Sequence, residues 1–209
     1  MKTLLALCIA VWSWPVMATP PSFQAGVHYQ LIEPRPPLTT AAGRVEVIEL
    51  FWYGCQTCFA IQPELTRWLQ QHQAQVSVLR VPALTEPQML PLAQAYYVAA
   101  ELGILGRVHE RLYNAVHRQQ RPLRDMADVA RLFAEYGVDA RRFNTTLHGR
   151  AVGEKIRQAR LLGQRLRIRG APTLIIDGRY RLDASMVGNA REMMAVLDYL
   201  VRQAQTPAR

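Results

Sequence analysis

The sequence predicts an α/β fold in which a layer of strands and helices is interrupted by a block of helices, roughly residues 85–150. Three observations point there. Residues 44–81 read as strand, helix, strand. Residues 86–169 carry helical spacing almost throughout. Residues 171–203 return to strand, hairpin and helix. A chain of 209 residues, half of them hydrophobic, can build one core with a large insertion.

The elements follow in order. Lys2, the apolar stretch Leu4–Val16 and the Val16-Met17-Ala18 tripeptide have the make-up of a secretory signal, residues 1–18, cut after Ala18. The stretch is too short to span a bilayer well. Pro20-Pro21 and Pro34 to Pro37 mark extended chain, with Val27–Ile32 as a short edge strand between them. "RVEVIELFWY", Arg44–Tyr53, is rich in β-branched and aromatic residues and reads as a buried strand ended by Gly54. A helix starts at Cys55 or Gln56 and runs to about Gln71. Leu65, Trp68 and Leu69 give it an apolar face, and Pro63 inside it is expected to kink it. Val76–Val81, closed by Pro82, is a second strand. A right-handed crossover makes the two strands parallel.

The helical block holds Pro91–Leu102, Leu105–Val116, Asp125–Tyr136 with Asp125 as N-cap, and Ala140–Leu147 capped by Asp139. Gly137 stops the third of these. A last helix extends to about Arg167, with Gly153 and Gly163 as weak points. "APTLIIDG", Ala171–Gly178, is the next strand. Asp177-Gly178 signals a hairpin into Arg179–Leu182. Asn189 caps a final helix, Ala190–Gln203, with Met193, Met194, Leu197 and Leu200 inward.

The chain carries 25 basic and 16 acidic residues, a formal net charge of +9. The arginines gather at Arg118–Arg124, Arg141-Arg142 and Arg157–Arg169. They read first as solvated helix faces; attraction to an anionic membrane surface or to acidic clients is the alternative. An exported chain argues against nucleic acid.

With Cys8 inside the signal, Cys55 and Cys58 are the cysteines that remain. Exported proteins use cysteine pairs as distant staples, yet these two are three residues apart, and so small a loop restrains the unfolded chain little. A structural metal needs two further ligands, and His28, His72, His109, His117 and His148 form no close pair. A redox pair suits the placement better. The start of a helix offers unpaired N–H groups and the positive end of the dipole, which stabilise a thiolate on Cys55. Cys58, one turn inside, is the more buried sulfur and the one placed to resolve a mixed disulfide.

Glu49 lies six residues before Cys55 in an apolar strand. It is either a strand-end carboxylate meeting water or an arginine, or a buried carboxyl that exchanges protons with Cys58. Pro172 opens a strand, where its missing donor is tolerated. A trans bond is the default there. A cis Ala171–Pro172 peptide is the functional alternative: it would set backbone beside the sulfurs and leave the polar groups of Ala171 free to pair with an extended peptide.

"EVIELFWYGCQTC", "GAPTLIIDGRYRL" and the order of the segments between them resemble the DsbA-like thiol–disulfide oxidoreductases of the thioredoxin superfamily, from about Val27 to Gln203. The resemblance implies a thioredoxin-like fold (27–84 and 151–204) with an inserted helical domain (85–150). It implies a periplasmic enzyme that exchanges disulfides with secreted proteins, Cys55 as nucleophile, Cys58 as resolving thiol, Glu49 as buried acid and Pro172 as cis-proline beside a substrate-pairing Ala171. No separate cofactor is expected, because the redox group is the Cys55–Cys58 disulfide. The implied partners are reduced or unfolded secreted clients and a quinone-linked membrane protein. Arg80, in "VSVLRVPA", is given no role.

Gln56-Thr57 departs from the Pro-His that strongly oxidising members carry. Losing a charge-assisted contact to the thiolate predicts a weaker oxidant, by roughly 30–60 mV. A reductase, a client-dedicated redox protein, or a non-catalytic peptide- or copper-binding module are the alternatives.

Overall fold

The computed structural model describes residues 22–35, 43–121, 123 and 125–206. The signal reading of residues 1–18, Cys8 included, lies outside them.

Strand β2 (Val45–Phe51) is buried along its whole length, as its β-branched and aromatic run requires. Helix α1 (Gln56–His72) follows, and the crossover returns in β3 (Val76–Pro82), parallel to β2. β3 takes in Pro82 as its last residue. It is an edge strand, so a missing donor there costs little. Helix α1 continues through Pro63.

The helical block consists of α2 (Leu90–Glu101), α3 (Leu105–His117), α4 (Met126–Ala134), α5 (Ala140–Leu147) and α6 (Arg150–Arg165). Asp125 and Asp139 are N-caps as expected, each accepting a backbone N–H at 2.8 Å, from Asp128 and Arg142. The expected interruptions of α6 are absent. A Cβ added at Gly153 or Gly163 would meet nothing within 4 Å, while Val152 and Ala159 are buried. α6 ends at Arg165, two residues early, because Arg167 takes a positive φ of 51°.

Strands β4 (Thr173–Ile176) and β5 (Tyr180–Asp183) form the hairpin. Its turn places Asp177 and Gly178 at φ 54° and 63°, the left-handed pair that a tight hairpin turn needs. Helix α7 (Ala190–Gln205) closes the chain. Asn189 accepts the Glu192 N–H at 3.0 Å, and the Glu192 carboxylate accepts the Gly188 N–H at 2.7 Å. The expected edge strand Val27–Ile32 shrinks to β1 (Gln30–Leu31), because residues 24–28 turn on themselves, with His28 N–H bonded to Gln24 O at 3.0 Å.

The five strands form one sheet in the order β1-β5-β4-β2-β3, antiparallel except for β2 and β3. Val45, Val47, Leu174 and Ile176 pack against Ile61, Leu65 and Trp68 of α1 and Met193, Leu197 and Leu200 of α7. Ile48, Leu50 and Ile175 point the other way, into a core shared with α2–α6. Each such side chain contributes roughly 1.5–3 kcal/mol on burial. Among the described residues no helix is long and apolar enough to cross a membrane.

Candidate active site

The C-terminal end of β2 delivers the chain to α1 through Trp52-Tyr53-Gly54. Gly54 is required by sterics: a Cβ there would stand 2.3 Å from the Trp52 ring. Cys55 is the N-cap of α1, and its Sγ accepts the Cys58 N–H at 3.1 Å. The Cys55 thiol donates to the Ala171 carbonyl at 3.3 Å, across 116 residues of sequence. The Ala171–Pro172 peptide bond is cis. The turn before β4 is anchored by Thr173, whose Oγ1 lies 2.7 Å from Asp183 Oδ1 and 3.1 Å from the Gly170 carbonyl. Among the described residues no hydrogen bond satisfies the Ala171 N–H.

The two sulfurs are free thiols in unlike settings. Cys55 is half-buried. A hydrogen bond from Cys58, joined by the backbone N–H groups of Cys58 and Thr57, pulls its pKa down to about 7 against the opposing effect of burial. Cys58 has no exposed surface, and burial, then its bond to Cys55, push its thiol well up. Gln56 and Thr57 are exposed. Of the two, Thr57 reaches the Cys55 sulfur, through its backbone N–H and not its hydroxyl.

Glu49 is buried, 1% exposed, and it is not a carboxylate meeting water. Its Oε2 accepts Arg80 Nε at 2.8 Å and its Oε1 accepts Gln62 Nε2 at 2.7 Å. Register explains the first contact: Glu49 stands opposite Arg80 in the parallel β2–β3 pair. Helical spacing explains the second, since Gln62 follows Cys58 by one turn. Arg80, left without a role on sequence grounds, is thus the basic partner. Gln62 was missed, and its signal was the i, i+4 spacing from Cys58.

One histidine was also undervalued. His109 on α3 is largely buried, and burial, then the Arg80 charge, lower its pKa to about 4. Its Nδ1 shares a 2.7 Å hydrogen bond with Tyr53 Oη. His117 Nε2 bonds the Tyr53 carbonyl at 2.8 Å and stacks on Phe59, ring centres 4.8 Å apart. Tyr53, Phe59, Tyr113 and the two histidines thus wall the inner side of the cysteine helix against α3. Among the described residues no cluster of three or more His, Cys, Asp or Glu is placed to hold a metal.

A family model described as a DSBA-like thioredoxin domain matches residues 56–201. The thiol:disulfide interchange protein DsbA of Burkholderia cepacia is 29% identical, over 98% of this chain and 98% of its own. That of Pseudomonas aeruginosa is 30% identical over 90% of this chain and 88% of its own. Among solved structures, Pseudomonas aeruginosa DsbA superposes with a TM-score of 0.80 at 29% identity, covering 87% of this chain and 94% of that one. The Xylella fastidiosa oxidoreductase DsbA gives 0.79 at 30% identity, with 86% and 96% covered.

Proposed function

The chain belongs to the DSBA-like thioredoxin-domain family of thiol–disulfide oxidoreductases, and on that premise we propose that it works in the periplasm as a dithiol oxidase of reduced secreted proteins. The observation that carries this reading is the contrast between the sulfurs. Cys55 sits on a helix start beside the Ala171 carbonyl with its pKa lowered, and Cys58 lies sealed behind it with its pKa raised.

In its oxidised form the protein holds a Cys55–Cys58 disulfide. A client thiolate attacks Cys55 Sγ, the more exposed sulfur of the pair. The Cys55–Cys58 bond breaks, a client–Cys55 mixed disulfide forms, and Cys58 leaves as a thiolate that must take a proton. That proton comes from water, relayed by Glu49, the buried carboxyl held by Arg80 and Gln62. A second client thiolate then attacks the client sulfur of the mixed disulfide. The client gains a disulfide, Cys55 leaves as a thiolate stabilised at its helix N-terminus, and two electrons remain on the enzyme as the dithiol. Ala171 and Pro172 hold the client in extended form, the free Ala171 N–H pairing with its backbone. A quinone-linked membrane protein removes the two electrons. When Cys58 instead attacks the mixed disulfide, the client is released unchanged.

The same reading divides the chain into a thioredoxin-like part, 27–84 and 151–204, and a helical insertion, 85–150. The packing of α6 along α2 supports extending the insertion to about residue 165.

Two measurements test the proposal. Cys58→Ala, with Cys55 kept, is expected to accumulate secreted proteins in mixed disulfides. The reduction potential is expected to lie well above the thioredoxin value of about −270 mV. A potential near that value would overturn the oxidase reading in favour of a reductase. The specific observation favouring that second reading is that neither Gln56 nor Thr57 gives the Cys55 sulfur a side-chain hydrogen bond.

A further inference from the structure

The arginine cluster at the end of α6 is left unexplained by disulfide chemistry. In the middle of this helix two charges are matched: Lys155 pairs with Glu101 at 2.6 Å, and Arg157 with Glu154. Beyond them Arg160, Arg165, Arg167 and Arg169 are all exposed. Among the described residues none of the four has a carboxylate partner. Four like charges within ten residues repel one another, and an anionic partner would remove that repulsion.

Their position is as informative as their sign. Arg160 and Arg167 line a groove of about 490 Å³ between the end of α6 and the loop after β3. Its apolar wall includes Leu50, Leu84 and Ile168. Leu50 is paired with Thr173 in the β2–β4 ladder, one residue after Pro172. Leu84 and Ile168 pack on the same core cluster as Cys55 and Ala171. The groove also contains Glu86, whose carboxylate is engaged by the Gln88 amide.

We propose that this surface selects clients by charge, taking an acidic segment of a reduced client polypeptide that lies next to the cysteine held at Ala171–Pro172. The inference rests on the oxidase reading above and adds a substrate class to it. An extended peptide advances ~3.3 Å per residue. Arg169 and Arg167 precede Ala171 by two and four residues, the span that two to four residues of such a peptide would cover on either side of its cysteine. Guanidinium groups suit such carboxylates because they bind them in bidentate fashion. An apolar residue among the acids fits the Leu50–Leu84–Ile168 wall, and the unpaired charge raises the encounter rate with acidic segments over neutral ones.

The test uses the oxidised full-length mature protein and three synthetic dithiol peptides, identical except for Asp/Glu, Ser/Gln or Lys flanks. Rates of peptide oxidation are read by stopped-flow fluorescence. At low ionic strength the acidic peptide is expected to react about tenfold faster than the neutral one, the lower end of electrostatic steering. That ratio is expected to fall to about one in roughly 0.5 M salt, where the screening length is a few ångströms. The combined change Arg160→Gln, Arg167→Gln, Arg169→Gln is expected to abolish it too, whereas Arg202→Gln on α7 leaves it unchanged. Equal rates for acidic and neutral peptides with the unaltered protein overturn the inference while leaving the oxidase reading intact. If the unaltered protein oxidises none of the peptides, the oxidase reading falls and this inference with it.

Discussion

At Cys55 a helix start supplies what a charged side chain supplies elsewhere. Thiolate formation there is favoured by the Cys58 hydrogen bond and two backbone N–H groups, and neither Gln56 nor Thr57 contributes a side chain. Alkylation of the reduced protein by iodoacetamide, followed against pH by mass spectrometry, is expected to modify Cys55 with a midpoint near pH 7 and to leave the sealed Cys58 unmodified. The same shift has a consequence for stability. The folded pKa of Cys55 lies below its ordinary value of 9.0, so the folded reduced state releases its proton first. The reduced form is therefore expected to gain stability as pH rises from about 7 towards 9, and to lose that gain as pH falls through about 7. Two pH units would amount to ~2.7 kcal/mol, but the thiol is half-exposed and solvent screening reduces this to about 1 kcal/mol. Urea denaturation of the reduced protein across that range measures it, with the disulfide form as a control lacking this gain. A flat profile for the reduced form would contradict it. The Glu49–Arg80 pair makes a third claim at this scale. Arg80→Met leaves the buried carboxylate with the Gln62 amide alone and is expected to cost about 2–3 kcal/mol, below the range for a fully sealed pair because the Arg80 side chain is 30% exposed. An unchanged urea midpoint would mean that water replaces the guanidinium without loss.

Helices α1 and α6 show how differently a glycine weighs in two elements. Gly153 of α6 has nothing within 4 Å of an added Cβ, and its backbone is already helical. Gly153→Ala is expected to raise stability by roughly 0.5–1 kcal/mol, the helix-propensity gain with no steric charge against it. Gly54, at the entry to α1, is the reverse case. Gly54→Ala drives a methyl into the Trp52 ring, so the ring or the Cys55 cap must move. A loss of about 1–3 kcal/mol is expected, together with a rise in the Cys55 alkylation midpoint as the cap geometry degrades. Thermal melts of the two variants should shift in opposite directions, and a stabilised Gly54→Ala would show that the Trp52 contact is dispensable. The caps were legible in the sequence. Asp125, Asp139 and Asn189 each precede an apolar-periodic run and each accepts the expected N–H. The extent of α6 was not legible, because its glycines lower local propensity while its continuity comes from burying Val152 and Ala159.

Over the whole molecule, one apolar cluster runs without a break from Leu50, Phe51 and Ile175 of the sheet through Leu112 and Phe133 to Phe143 and Leu147. A core shared in this way predicts a single cooperative unfolding transition. Leu112→Ala, deep in the helical block, is expected to lower stability by about 3–4 kcal/mol and to move tryptophan fluorescence and far-ultraviolet circular dichroism together. Separate midpoints for the two signals would mean that the helical block melts alone. Trp52 and Trp68 report from the active-site end and from the α1–α7 side respectively. The order of strands and helices, the parallel β2–β3 crossover, the hairpin and the placement of Cys55 and Cys58 on a helix start were all determined by the sequence itself. These depend on period, turn residues and caps within a few neighbours. What only the tertiary structure decided were contacts between distant stretches: the Ala171 carbonyl beside Cys55, Arg80 and Gln62 closing on Glu49, and His109 drawn into the interior against Tyr53. Strand register and helix docking create those contacts, and they leave no periodic trace in either partner's own segment.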